Sequence, residues 1–358
     1  MTRFLVRRLL LTIPVLLGIV FVVFVLARVI PGDPCRAALG ERATAVTCNA
    51  FNERYGLNEP IPVQFVLYLQ DVAQGDLGTS IKFGRPVGEL LIERLPLTFE
   101  LGLYAILIAI LIGVPLGLMS AIRRNSIVDV LTMLMANLGV SIPVFVLGLL
   151  LQFIFAVVLR DTFVGLPPSG RTVAGAPLVP LADAWGLRDL GGPPRGLLDF
   201  VSNMYTLNYL LRLDLERYLD AMRHMILPAF ALSTIPLAII ARITRSSLVD
   251  VLGLDYIRTA RAKGLAGPMV VRRHAMRNAL LPVVTIIGLQ LGALLSGAVL
   301  TETIFNLTGV GRTLYEAIIG RDYIVVQGFT LVIAIGYVVA NLLVDISYAF
   351  LDPRIRLS

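Results

Sequence analysis

Leu101-Gly-Leu-Tyr-Ala-Ile-Leu-Ile-Ala-Ile-Leu-Ile-Gly-Val-Pro-Leu-Gly-Leu-Met-Ser-Ala121 contains 21 residues and not one charged side chain. Coiled at 1.5 Å per residue it measures about 31 Å, enough to cross the ~30 Å hydrocarbon core of a bilayer. Five further charge-free stretches lie around it: Leu9–Ala27, Val130–Leu159, Met225–Ala241, Ala279–Thr301 and Tyr323–Val344. The stretch from Met225 has only 17 residues, so its ends extend into polar flanks. The stretch from Val130 has 30 and must tilt, bend near Pro143 or run partly along the interface. The uncharged run Phe200–Leu211 is too short to span and reads as an interfacial or packed helix. Composition points the same way. Of the 358 residues 57% are hydrophobic and 15% charged, with a mean hydropathy of +0.82, whereas soluble domains carry roughly a quarter charged residues. The pattern predicts an all-α membrane protein with six transmembrane helices.

The arginines give the orientation. Arg3, Arg7 and Arg8 precede the first stretch, and Arg123 and Arg124 lie in the second connection. Residues 242–278 hold eight basic residues against Asp250 and Asp255, and the tail adds Arg354 and Arg356. These segments alternate with less basic ones, which places both termini in the cytoplasm and leaves long outer connections after the first and third helices. The first stretch is longer than the apolar core of a signal peptide and is followed by Pro31-Gly-Asp-Pro34, so it is read as a retained helix. Proline occurs in the first five stretches, at 14, 115, 143, 228, 236 and 282, so those helices are expected to bend.

Several chemistries are excluded. The only lysines are Lys82 and Lys263, and neither follows a glycine, so no Gly-x-x-x-x-Gly-Lys-Ser/Thr phosphate loop exists. Cys35, Cys48, His224 and His274 are too far apart for a zinc pattern. No cofactor is expected on this chain, and its positive charge belongs to a membrane topology rather than to nucleic acid.

The most informative connection contains Asp255-Tyr256-Ile257-Arg258-Thr259-Ala260-Arg261-Ala262-Lys263-Gly264. Asp255 reads as an N-terminal cap, Lys263 complements the dipole of the last turn, and Gly264 can close the helix in the left-handed region. The expected product is a short helix held outside the membrane, with Tyr256 and Ala260 on one face and Arg258 and Arg261 on another. Ala260 and Ala262 would allow close approach of a partner. The alternative is a plain basic helix against lipid.

This stretch resembles the docking loop of permease subunits of ABC importers, written Glu-Ala-Ala-x-x-x-Gly with Leu-Pro further on. Arg258, Thr259, Ala260 and Gly264 fall on its Glu, Ala, Ala and Gly positions, and Leu281-Pro282 on its end. Arg258 departs from the acidic position, and Leu-Pro comes five residues later than in the general pattern. The chain is most similar to the dipeptide/oligopeptide/nickel branch. Further matching pieces are Pro31-Gly-Asp-Pro34, Gly75-Asp-Leu-Gly78, Ile243-Thr-Arg-Ser-Ser247, Thr301-Glu-Thr-Ile-Phe305, Arg321-Asp-Tyr323 and Asp352-Pro-Arg354.

The resemblance implies a type I importer permease in a bacterial inner membrane. Residues 1–96 would form the first helix and outer region, 97–350 the permease core, and 351–358 a cytoplasmic tail. The core includes an outer insertion at 160–224 and the coupling loop at 242–278. It further implies a second homologous permease subunit, two ATPase subunits that bind ATP and magnesium, an external substrate-binding protein and a peptide substrate. Residues 255–264 would then couple ATP turnover on the partners to this non-catalytic chain.

Polar residues inside the stretches are candidates for the pathway or for subunit contacts: Asn137, Ser141, Gln152, Ser233, Thr234, Thr285, Gln290, Ser296, Asn341 and Asp345. The competing reading is a set of helix–helix hydrogen bonds, each worth about 0.6 kcal/mol. Asp345 can equally pair with a cytoplasmic arginine. Glu302, Arg312 and Arg321 are either gate or docking residues or interfacial anchors. Cys35 and Cys48 are either bonded or free. Two other classes stay open: a self-sufficient secondary transporter or channel, and an intramembrane serine hydrolase using Ser141 and His224. Against the hydrolase, Ser141 lacks the glycine that follows a nucleophile elbow, and no carboxylate is evident beside His224 in the sequence.

Overall fold

Backbone groups inside a bilayer must be satisfied within their own segment, and the charge-free stretches are helical as far as they are described, apart from the break at 142–143 and Leu159. The computed structural model describes residues 2–29, 35–36, 40, 43–54, 56–295 and 299–351. Pro31-Gly-Asp-Pro34, Ser296, the side chain of Asp345 and the tail from Asp352 lie outside the described residues. Among the described residues there is no strand, only an isolated bridge between Thr79 and Pro86.

In chain order the main helices are α1 (Thr2–Val29), α2 (Ala45–Arg54), α3 (Ile61–Ala73), α4 (Val87–Ile122), α5 (Ile127–Ser141) and α6 (Val144–Gln152). The outer insertion contributes α7 (Gly192–Ser202) and α8 (Tyr205–Leu211), followed by α9 (Leu215–Leu252) and α10 (Asp255–Ala262). The chain closes with α11 (Met276–Leu295), α12 (Val299–Ile304), α13 (Val310–Ile319) and α14 (Tyr323–Leu351). Among the described residues four helices are long and apolar enough to cross a membrane, or five if the bent pair α5–α6 counts as one span. The apolar part of α1, Leu10–Leu26, is shorter.

Two stretches are longer than their charge-free cores. α9 has 38 residues around the 17-residue core. The helix leading into α11 starts at Gly267 and passes through a π-helical segment, Val270–Ala275, that carries Arg272 and Arg273. The expected bend appears at one proline. α5 and α6 meet at 97°, because Ile142, which precedes Pro143, is forced into extended backbone (φ −80°, ψ 121°). The helices holding Pro14, Pro115, Pro228, Pro236 and Pro282 continue through those positions.

α4 is the spine, and apolar side chains along it reach four separate cores. At the end far from α10, Leu90 and Leu91 pack with Val310, Val325 and Phe329. Leu97 and Leu101 then meet Leu227 and Phe305, and Ala105 and Ala109 meet Ile240 and Val283. At the near end Ala121 joins the cluster beneath α10. α4 and α9 touch closely because of glycine. A Cβ on Gly113 would stand 2.9 Å from the Leu237 carbonyl oxygen, and one on Gly117 would press still harder on Ala241 and Thr244. Small residues at such crossings are the usual source of tight packing between membrane helices.

Candidate functional site

α10 is eight residues long, about 12 Å. Its cap is Leu254, in extended backbone and without a side-chain bond. Asp255 is therefore not the cap. It is the first helical residue, where its charge still favours the helix dipole, and it pairs with Arg258 at 3.1 Å. Gly264 has φ +78°, and no atom lies within 4 Å of a Cβ placed there. It is needed for the left-handed turn and not for space.

The faces of α10 also differ from the expectation. Ile257 and Ala260 are the buried pair, set into a cluster with Ala121, Leu248, Val270, Ala275 and Ala279. Ala260 is thus occupied by its own chain, and Tyr256, one turn away on the same side, lies at the exposed edge of that face. Tyr256 is exposed, and its hydroxyl accepts from Asn278 Nδ2 at 2.8 Å. Asp255, Arg258, Thr259, Arg261, Ala262, Lys263 and Gly264 are also exposed. A narrow apolar seam seats the helix, and the rest of its surface is basic and uncovered. Ile257 was legible as the lone large aliphatic residue within the helix.

A second polar centre lies close to the same end. Asp129, in the first turn of α5, is 4% exposed. It accepts both Arg245 Nε at 2.6 Å and Arg245 Nη2 at 2.7 Å, the Asn125 amide at 2.9 Å and the Ser120 hydroxyl. The bidentate fork fixes direction as well as distance. Sequence reasoning noticed Arg245 only inside a matching motif and missed Asp129. The two are 116 residues apart, and no local spacing announces the pair.

The other acidic centres sit at the far end. Glu302 is fully buried. It accepts from Thr98 Oγ1 at 2.7 Å and the Arg312 amide at 2.8 Å, across the start of α13. A Cβ at Gly309 would collide with its carboxylate. Glu302 is thus a capping carboxyl group and faces no open space. Arg312 pairs with Glu316 at 3.0 Å, and Arg321 occupies a turn with φ +53°. Asp322 is fully buried at the head of α14 and accepts from Ser80 Oγ and the Lys82 amide. Glu100 on α4 accepts from both the amide and the hydroxyl of Thr206. It also pairs at 3.0 Å with Arg171, whose guanidinium lies 3.6 Å over the Tyr205 ring. Cys35 and Cys48 are joined by a disulfide.

The polar residues of the stretches separate into two groups. Gln152 donates to the Pro168 and Ile304 carbonyls at 2.7 and 3.1 Å. Ser233, Thr234 and Thr285 bond back to carbonyls of their own helices. Those four are internal. Asn137 and Ser141 are exposed, one turn apart, beside the α5–α6 knee, with Ser141 Oγ donating to the Asn137 carbonyl at 2.9 Å. Gln290 and Asn341 are half-buried on α11 and α14, which meet where Gly292 faces the Tyr337 ring. A carboxylate does stand beside His224: Asp220 Oδ1 is 3.4 Å from its Nδ1. No hydrogen bond joins His224 to Ser141 among the described residues. No group of three or more His, Cys, Asp or Glu residues is placed to hold a metal, again among the described residues.

Similarity to known proteins accords with this geometry. Residues 113–357 match the family described as binding-protein-dependent transport system inner membrane component, and residues 1–102 match its N-terminal companion. The dipeptide transport system permease protein DppB of Alkalihalophilus pseudofirmus is 44% identical over 356 residues, 99% of this chain and 100% of that protein. DppB of Escherichia coli K12 is 43% identical over 357 residues, 99% of each chain. The oligopeptide transport system permease protein AppB of Bacillus subtilis is 36% identical over 357 residues, 99% of this chain and 100% of its own. A helical bundle with membrane-length apolar helices, matched from end to end by transport permeases, has one assignment: the chain belongs to the inner-membrane components of binding-protein-dependent transport systems, and is a permease subunit of an ABC importer.

Proposed function

We propose that this permease forms half of a pathway for dipeptides or closely related peptides, and is driven through α10 by separate ATPase subunits. The reading takes six crossing helices, with α1 and the α5–α6 pair each counted as a span, both termini cytoplasmic and the insertion 160–224 outside. A second homologous permease supplies the other half, an external binding protein delivers the peptide, and ATP and magnesium bind on the ATPases. The chain itself is not catalytic. Peptides are favoured because relatives 43% and 44% identical over nearly the whole chain are named for dipeptide transport.

The observation that carries the proposal is the surface of α10. A helix fixed by Ile257 and Ala260 on one side and bare on the other moves as a unit with whatever grips it. A partner that closes on ATP binding would carry α10, and with it the joined ends of α4, α9 and α11. Asn137 and Ser141 are uncovered polar groups on an apolar helix; such groups usually face protein or water, which supports a place at the pathway or the permease–permease contact. The test is reconstitution in vesicles with ATPases and binding protein. Gly264→Pro, or removal of 256–264, should leave insertion intact while peptide uptake drops to background. Coupled uptake at the normal rate by the deletion variant would refute the proposal.

A further inference from the structure

α5 packs on α4 and α9 mainly through small side chains. Its buried stripe is Asp129, Thr132 and Ala136, and most of its large apolar side chains, from Ile127 to Leu138, are exposed. Thr132 and Ala136 are small, and a Cβ on Gly139 would only reach ordinary contact with Thr234, at 3.9 Å. Contacts of that kind allow one helix to slide along another. Among the described residues, the only side-chain hydrogen bonds from α5 to other elements pass through Asp129.

Asp129 reaches three elements. Ser120 belongs to the last turn of α4, Asn125 to the turn between α4 and α5, and Arg245 to α9, two turns before that helix ends and α10 begins. The apolar cluster that seats α10 includes Leu248 and Ala121 from α9 and α4 but nothing from α5. Motion of α10 therefore reaches α4 and α9 through packing. It reaches α5, and the knee at Pro143, through the short turn from α4, a seam of small side chains and the bonds that converge on Asp129, of which the Arg245 fork is the polar tie to α9.

We propose that Asp129 and Arg245 form the strut by which the α10 end of α9 moves α5, so that Asp129 is a positioning residue for the knee during transport. This rests on the reading of 255–264 as the element driven by ATPases. The fork of Arg245 resists both sliding and rotation of α5, which its small-residue seam does not. Asn137 and Ser141, next to the knee, are the polar groups displaced when α5 follows α9.

The test is carried out on the assembled transporter with its ATPases. Because both native cysteines are joined to each other, cysteines introduced into this chain can be spin-labelled before it is assembled with its partners. One label pair, Leu197→Cys with Asp250→Cys, reports the end of α9 relative to the insertion. The other, Leu197→Cys with Met135→Cys, reports α5. With magnesium, ATP and vanadate, both distances should change in the otherwise unmodified protein. In Asp129→Asn the first should still change and the second should not, while peptide uptake per ATP hydrolysed falls roughly tenfold. A strut of purely structural importance would alter assembly or both distances together. Should Asp129→Asn fail to assemble, Arg245→Lys retains the charge without the fork and should show a reduced change in the second distance. The proposal is overturned if the second distance changes fully in either variant with uptake per ATP unaltered. If the first distance is constant in the unmodified protein, the ATPase-driven reading of α10 fails, and the strut with it.

Discussion

The two ends of this bundle handle charge in opposite ways. At the far end three carboxylates, Glu100, Glu302 and Asp322, are at most 1% exposed, and each ties together elements distant in sequence. Glu100 fastens the insertion to α4, Glu302 starts α13, and Asp322 starts α14 while holding the turn at 80–82. At the α10 end, by contrast, Arg258, Arg261 and Lys263 stand exposed over a two-residue apolar seam. Buried carboxyl groups persist where hydrogen bonds and ion pairs offset their loss of water, and the far end supplies those partners from within the chain. Apart from the buried Asp129–Arg245 pair, the α10 end leaves its charged groups for something else to meet. The difference separates residues that hold the shape from residues that transmit motion.

The contrast can be broken most decisively at Glu100. Glu100→Ala leaves Arg171 charged and unpaired in a partly buried site, a loss of about 3–5 kcal/mol. The insertion should become accessible to protease between 160 and 220, while ATPase binding persists. An insertion that stays as resistant as before would show that the far end does not depend on its buried acids. Next in size is Ile257→Ala, which empties the seat of α10 and costs about 2–4 kcal/mol locally. Uptake should fall while protease resistance of the insertion is unchanged. Loss of both together would mean that the two ends are not independent.

Gly117→Ala sharpens the comparison from the α10 side of the α4–α9 crossing. The added methyl would press on the Ala241 carbonyl and Thr244, and overpacking of this kind costs about 1–3 kcal/mol. A lowered thermal midpoint with the insertion as protease-resistant as before is expected. The smallest effect belongs to Arg195→Ala. Its pair with Asp199, at 3.0 Å, lies on a surface helix of the insertion and contributes about 0.3–0.5 kcal/mol. A shift of the midpoint beyond a degree or so would make surface ion pairs a real part of the far end's stability.

Much of this was legible in the linear sequence. Charge-free runs such as 101–121 specify helices of membrane length, because burial in hydrocarbon depends on local composition. Pro143 marked one place where a 30-residue run could bend, but Pro14, Pro115, Pro228, Pro236 and Pro282 carry the same local effect inside continuous helices, so which proline breaks its helix was decided by the fold. Gly264 specifies the end of a short basic helix, because only a left-handed residue closes it cheaply. Glu302 shows where this stops. Its place at the outer end of an apolar run suggested a gate or an anchor, yet Thr98, 204 residues away, and the amide of Arg312 make it an internal cap.

The same limit applies to α10 and α5. Their sequences fixed that helices form and carry charge, but not which side of α10 is covered, nor that Asp129 is grasped by Arg245. Those outcomes depend on which distant segments pack together. Asp129 meets Arg245 from 116 positions away and Asp322 meets Ser80 from 242, and only the folded chain brings such residues within the few ångströms over which hydrogen bonds and close packing act.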